Sequence, residues 1–85
     1  MAGLTDLPNL GKVVAEQLRR AGIDTPEKLR KLGSVGAALR LVESGTDVCS
    51  SKLSALEGAI RGVRWHSIPA VERAELRRRF EARRS

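Results

Sequence analysis

The stretch LTDLPNLGKVVAEQLRRAGIDTPEKLRKL, residues 4–32, decides how the chain folds, and its first corner is Leu7-Pro8-Asn9-Leu10-Gly11. Pro8 fixes its own φ and pushes Leu7 toward extended backbone, while Asn9 tolerates a positive φ better than other non-glycine residues. The chain must therefore bend sharply before a helix begins. Gly11 lets the backbone at that helix start approach another surface closely, and Lys12 adds a positive charge beside unpaired N–H groups. Such a start favours anions. Leu10, Val13, Val14, Gln17, Leu18 and Ala21 then recur at helical spacing, which predicts a helix over 10–21 with Glu16 and Arg20 paired outside and Gly22 as its stop. Thr25-Pro26-Glu27 reads as an N-cap, a proline at the first helical position and an acid in the first turn. A short helix is predicted over 26–32, with Leu29 and Leu32 inward.

Beyond it, Leu32-Gly33-Ser34-Val35-Gly36 repeats the form of the first corner: apolar, two turn formers, apolar, glycine. Either a second hairpin-like corner forms here, or Gly33 caps one helix and Ser34 opens the next. Val35, Ala38, Leu39 and Val42 predict a third helix ended by Gly45. Cys49, Leu53, Leu56, Ile60 and Val63 predict a fourth, from Ser50 or Ser51 to Arg61. Ala55, Gly58, Ala59 and Gly62 are small residues that allow close helix packing, which makes this helix central. Pro69 reads as the first position of a fifth helix reaching Arg84. Its apolar residues Val71, Ala74, Leu76 and Phe80 share no single stripe, so its first turns are expected to dock and its last turns to project.

The corner, followed by Ala15, Leu18, Gly22-Ile23 and the helix start Asp24-Thr25-Pro26-Glu27-Lys28-Leu29, resembles the helix-hairpin-helix modules of DNA repair and replication proteins. That resemblance implies hairpin N–H groups holding a phosphate. Farther on, Val48-Cys49, the block Ala55-Leu56-Glu57-Gly58-Ala59-Ile60-Arg61-Gly62-Val63-Arg64-Trp65-His66 and Ile68-Pro69 resemble the C-terminal domain of the TfoX/Sxy competence regulators, over roughly residues 4–76. This second likeness implies a regulatory module connected with competence or transcription. The longer regulators also carry an N-terminal α/β domain, and this sequence reads as the C-terminal domain standing alone.

Eighty-five residues make one small domain, 1–85, with 77–85 a basic C-terminal extension of the last helix. The composition, 41% apolar and 31% charged, is that of a globular chain, and no apolar run approaches the ~18 residues of a membrane span. Without a signal peptide at Met1-Ala2-Gly3, a cytoplasmic protein is expected. One cysteine and one histidine leave no intramolecular disulfide, no zinc cluster and no recognisable triad. Together with the lack of paired carboxylates or a Gly-rich nucleotide loop, this argues against an enzyme, a cofactor, a metal or a small-molecule substrate. The net charge of +6 is uneven: residues 61–85 hold eight arginines against three acids, and residues 1–60 hold eight basic residues against seven acids. A polyanion would feel the C-terminal end first.

The expected architecture is an all-α bundle of about five short helices, of helix-hairpin-helix or SAM-like class, with the helices over 10–21 and 51–61 as its core. Two uses are weighed. In the first, Asn9, Gly11 and Lys12 at the hairpin and Arg73, Arg77, Arg78 and Arg83 on the last helix contact the DNA backbone without reading bases. Glu75 with Arg79 and Glu81 with Arg84 are expected as intrahelical pairs, leaving the named arginines unpaired. In the second, the chain binds a protein partner or a second copy of itself through Leu76 and Phe80, and the basic face is merely solvated. Trp65 is expected to close the core, Cys49 to be buried as a small hydrophobe, and His66 to have no catalytic role.

Overall fold

A computed structural model describes residues 3–84. The elements are a single 3-10 turn at Leu4–Asp6, α1 Lys12–Arg20, α2 Pro26–Glu43, α3 Ser50–Arg61, a second 3-10 turn at Trp65–Ser67, and α4 Ala70–Arg84. No strand occurs among the described residues. The fold is all-α, a small helical bundle.

Local chemistry sets most boundaries. Thr25 Oγ1 accepts from the Lys28 N–H at 3.2 Å, and Pro26 follows as the first helical residue. Gly62 adopts the left-handed conformation that ends α3, where an L side chain would be strained. Pro69 lies one position outside α4, its carbonyl accepting from Glu72 and Arg73. At the second corner Gly33 ends one helical run and Ser34 opens the next, the second of the two expected arrangements, so α2 is two helices joined across a kink. Gly33, at φ 77° and ψ 169°, breaks α2 for one residue and the helix resumes at once.

That kink serves packing. Ser34, buried just after it, donates its hydroxyl to Glu57 Oε1 at 2.7 Å. Arg61 Nε donates to Glu57 Oε2 at 2.7 Å, and another nitrogen of Arg61 lies 2.9 Å from Glu72 Oε1. A polar chain thus ties α2, α3 and α4 together. Burial by itself would raise the Glu57 carboxyl, but the Ser34 and Arg61 hydrogen bonds and the charges of Arg61 and Arg79 outweigh it and hold it below the ordinary 4.5. The folded carboxyl therefore binds its proton less tightly than the unfolded one. The stability this gives is complete above pH 4.5 and is lost as pH falls through the lower folded value. Glu57→Gln is expected to cost about 1–2 kcal/mol at pH 7 in urea unfolding, with the gap to wild type closing in acid.

Helix α3 is central as expected, but its main partner is α2 and not the helix that follows the hairpin. The largest contact is α2 on α3, with α4 across both, and α1 packs on α2 and the first 3-10 turn. Helix α2 supplies Leu29, Val35, Ala37, Ala38 and Leu41 to the core, and α3 supplies Leu53, Leu56 and Ala59. Helix α1 buries only Ala15 and Leu18 fully, with Val14 partly covered and Val13 turned outward.

Helix α4 is also corrected. Leu76 and Phe80 are both in the core, 5% and 3% exposed, whereas Val71 near the helix start is 76% exposed. The two core residues are four apart and share one face, and that face lies on α2 and α3. A partner-docking role for Leu76 and Phe80 is therefore replaced by a packing role. Phe80 belongs to the core although it lies within the basic extension.

Candidate nucleic-acid interface

The hairpin is built as its residues require. Asn9 takes φ 70°, and among the described residues it is the non-glycine residue with a positive value. Its side chain faces the protein: Nδ2 donates to the Val63 carbonyl at 2.9 Å and to the Ala55 carbonyl at 3.4 Å, and Oδ1 accepts from the Trp65 N–H at 3.2 Å. Gly58 makes room for this lock. A Cβ there would sit 2.5 Å from Asn9 Nδ2, 2.7 Å from the Val63 carbonyl oxygen and 3.1 Å from the Trp65 nitrogen. The Asn9 side chain is thus engaged inside the protein, and its backbone N–H is the group left to the expected hairpin contact.

Gly11 is the N-cap of α1, exposed, with nothing within 4 Å of a Cβ built upon it. Internal crowding does not demand glycine here. No side chain caps this helix start and its first turn holds no acid, so neither competes for the N–H groups there. Lys12 is exposed beside them.

Trp65 does not close the core. It is half-buried, its ring stacked on His66 at 3.9 Å between centroids, with the Arg73 guanidinium 5.4 Å from the Trp ring. Arg73 Nε also donates to the Ile68 carbonyl at 3.0 Å. Asn9 thus holds the Trp65 backbone, and Arg73 lies over the Trp65 ring. Cys49, exposed at the start of α3, likewise departs from the expected burial, because it is the N-cap residue and lies outside the helix face that packs.

The other arginines are distributed differently from the sequence expectation. Arg78, not Arg79, engages Glu75, with Nε at 2.9 Å from Oε2, and Arg77, not Arg84, pairs with Glu81 at 3.6 Å. Spacings of three and four both reach on a helix, so periodicity alone could not choose. Arg84 lies 5.7 Å from the centroid of the Phe80 ring. Arg83 makes no ion pair with another described residue, and neither does Arg64, an exposed neighbour of Trp65. Arg83 stands ten residues beyond Arg73 on α4, about 15 Å along the helix, and is not part of the Trp65 cluster. The sequence reading missed Arg64. Its signal was an unpaired cation one residue before the only tryptophan.

Among the described residues no three His, Cys, Asp or Glu side chains converge to hold a metal ion, and no helix is long and apolar enough to cross a membrane.

The fold and this surface define a small all-helical domain whose N-terminal hairpin is locked onto a Trp-Arg cluster. The chain belongs to the TfoX C-terminal domain family, whose profile matches residues 1–80. It is similar to the crystal structure of an uncharacterized protein from Listeria monocytogenes in a triclinic form, at 44% identity and a TM-score of 0.87, covering 95% of this chain and 92% of that one. A tetragonal form of a Listeria monocytogenes protein of unknown function is similar at 43% identity and a TM-score of 0.84, covering 95% and 99%. No curated protein matches the chain.

Proposed function

We propose that this domain is a non-enzymatic regulatory module, connected with competence or transcription, that grips the phosphate backbone of duplex nucleic acid without reading bases. One observation supports this most. Asn9 bonds to Val63 and Trp65 and, at 3.4 Å, to Ala55 of α3, which ties the corner before the uncapped start of α1 to the segment carrying Arg64, while Arg73 lies over the Trp65 ring. Helix N–H groups and a fixed set of cations suit phosphate oxygens, which carry no sequence information. Base readout needs free polar side chains on a groove-facing helix. On α1, Glu16 pairs with both Arg19 and Arg20, at 3.5 and 3.6 Å.

A protein-docking role finds less support. Among the described residues the exposed large apolar side chains are Val13 on α1, Val63 in the loop after α3 and Val71 on α4, while Leu76 and Phe80 are in the core. Three valines expose less apolar surface than a docking patch of a few hundred Å² needs.

The test is fluorescence anisotropy with short duplexes of two unrelated sequences. Lys12→Ala and Arg64→Ala are each expected to weaken both duplexes equally and to lower the salt slope by about one. Unchanged binding in both variants would refute the hairpin contact, and a loss confined to one sequence would refute backbone recognition.

A further inference from the structure

Among the described residues the two buried polar side chains are Ser34 and Ser54, 3% and 4% exposed. Ser34 is satisfied by Glu57. The Ser54 hydroxyl, in contrast, makes no hydrogen bond to another described residue. No fully enclosed side-chain N or O among the described residues lacks a partner, so the Ser54 oxygen opens outward. It opens onto a cleft of roughly 280 Å³ between the first turns of α3 and the face of α4, lined by Ser50, Ser51, Ser54, Trp65, Arg73 and Arg77 together with Ala74.

Every polar group on this lining favours an anion. Helix α3 starts at Cys49 without a side-chain cap and without an acid in its first turn. The Leu53 N–H takes the Cys49 carbonyl, leaving the N–H groups of Ser50, Ser51 and Lys52 without helical partners. The Lys52 side chain is turned to Gln17 and the Asp47 carbonyl, at 3.0 and 3.2 Å. Arg73 is held at Nε by Ile68, which leaves its terminal nitrogens as donors. Arg77 has one long contact to Glu81, which lines the adjoining groove rather than this cleft.

We propose that this cleft is a seat for a phosphate monoester group, bound by the start of α3, the hydroxyls of Ser50, Ser51 and Ser54, and the guanidiniums of Arg73 and Arg77. The chemistry is that of a helix N-terminus reinforced by charge-assisted donors. It shares Arg73 with the backbone contact proposed above, but Lys12 and Arg64 take no part in it. The phosphate belongs either to a nucleic-acid 5′ end or to a phosphorylated small molecule.

Trp65, the chain's one tryptophan, lines the cleft and reports on it. The experiment is titration of the full chain with inorganic phosphate, read by Trp fluorescence at fixed pH against sodium chloride of equal ionic strength. Saturable change with phosphate alone is expected. Arg77→Gln should weaken it at least about tenfold and Ser54→Ala about fivefold, with Lys12→Ala unchanged. An equal response to chloride, or binding untouched by both cleft variants, would overturn the seat. In competition, displacement by a 5′-phosphorylated oligonucleotide but not by its 5′-hydroxyl form supports the seat with a nucleic-acid end as its source. Displacement by ribose 5-phosphate at lower concentration than either oligonucleotide supports it with a small molecule as the source. Loss of duplex binding with phosphate binding retained would remove the backbone reading and leave this one standing.

Discussion

Gly58→Ala is expected to destabilise the protein by about 2–4 kcal/mol, although alanine is the better helix former by about 1 kcal/mol. The new methyl would press on the Asn9 amide and on the Val63 carbonyl, at 2.5 and 2.7 Å, and the second of these is backbone. Relief requires moving the hairpin away from α3. That sacrifices hydrogen bonds from Asn9, each worth about 1 kcal/mol, and leaves the Trp65 N–H and Val63 carbonyl unpaired. Urea unfolding measures it directly. A stabilised variant, as helix propensity alone would give, would mean that the lock is not there. Adding Asn9→Ala should cost little more, since the two residues share one interaction and their effects are not additive.

Phe80→Ala is expected to cost about 3–5 kcal/mol, the range for removing a buried aromatic ring from a packed core. Phe80 is 3% exposed and meets α2 and α3 through α4. At about 4–8 °C per kcal/mol for a domain of this size, the loss lowers the Tm by more than about 12 °C. Val71→Ala, on the same helix but 76% exposed, is the control and should stay within about 0.5 kcal/mol of wild type. If the last turns of α4 projected into solvent, as the helical wheel suggests, the two variants would be indistinguishable.

The contrast between Phe80 and Thr25 explains what could be read from residues alone. Whereas Gly62, read as a packing residue, is the left-handed end of α3, the Thr25 cap, the Pro26 start and the left-handed glycines at 22 and 45 depend on neighbours within a few positions. The hairpin bend follows from Pro8 and Asn9 in the same way. The role of the Asn9 side chain was out of reach, because Val63 and Trp65 are 54 and 56 residues away. A positive φ and a folded-back amide come from one residue, and only the first is a local property. The face of α4 was hidden for a related reason. Val71, Ala74, Leu76 and Phe80 spread around the wheel, and the pair that docks is chosen by the surface of α2 and α3.

The candidate site was legible in its ingredients more than in its arrangement. Lys12 and the arginine-rich C-terminus stand out by charge, but the ion pair with Glu75 removes Arg78 from the unpaired set, while Arg77 reaches Glu81 only at 3.6 Å. Arg73 is placed by an indole and a carbonyl, neither of which a charge count weighs. Arg64 gains its place because Asn9 fixes the backbone next to it. Ser54 was invisible, since a serine in the middle of a helix carries no signal until its burial and missing partner are known.

The most direct test of backbone recognition is anisotropy of a labelled random-sequence duplex with the wild-type chain across a salt series. The account predicts binding at low salt, insensitive to sequence, whose log affinity falls linearly with log salt at about −0.9 per phosphate engaged. Absence of binding at low salt, or binding that salt leaves unchanged, would contradict it.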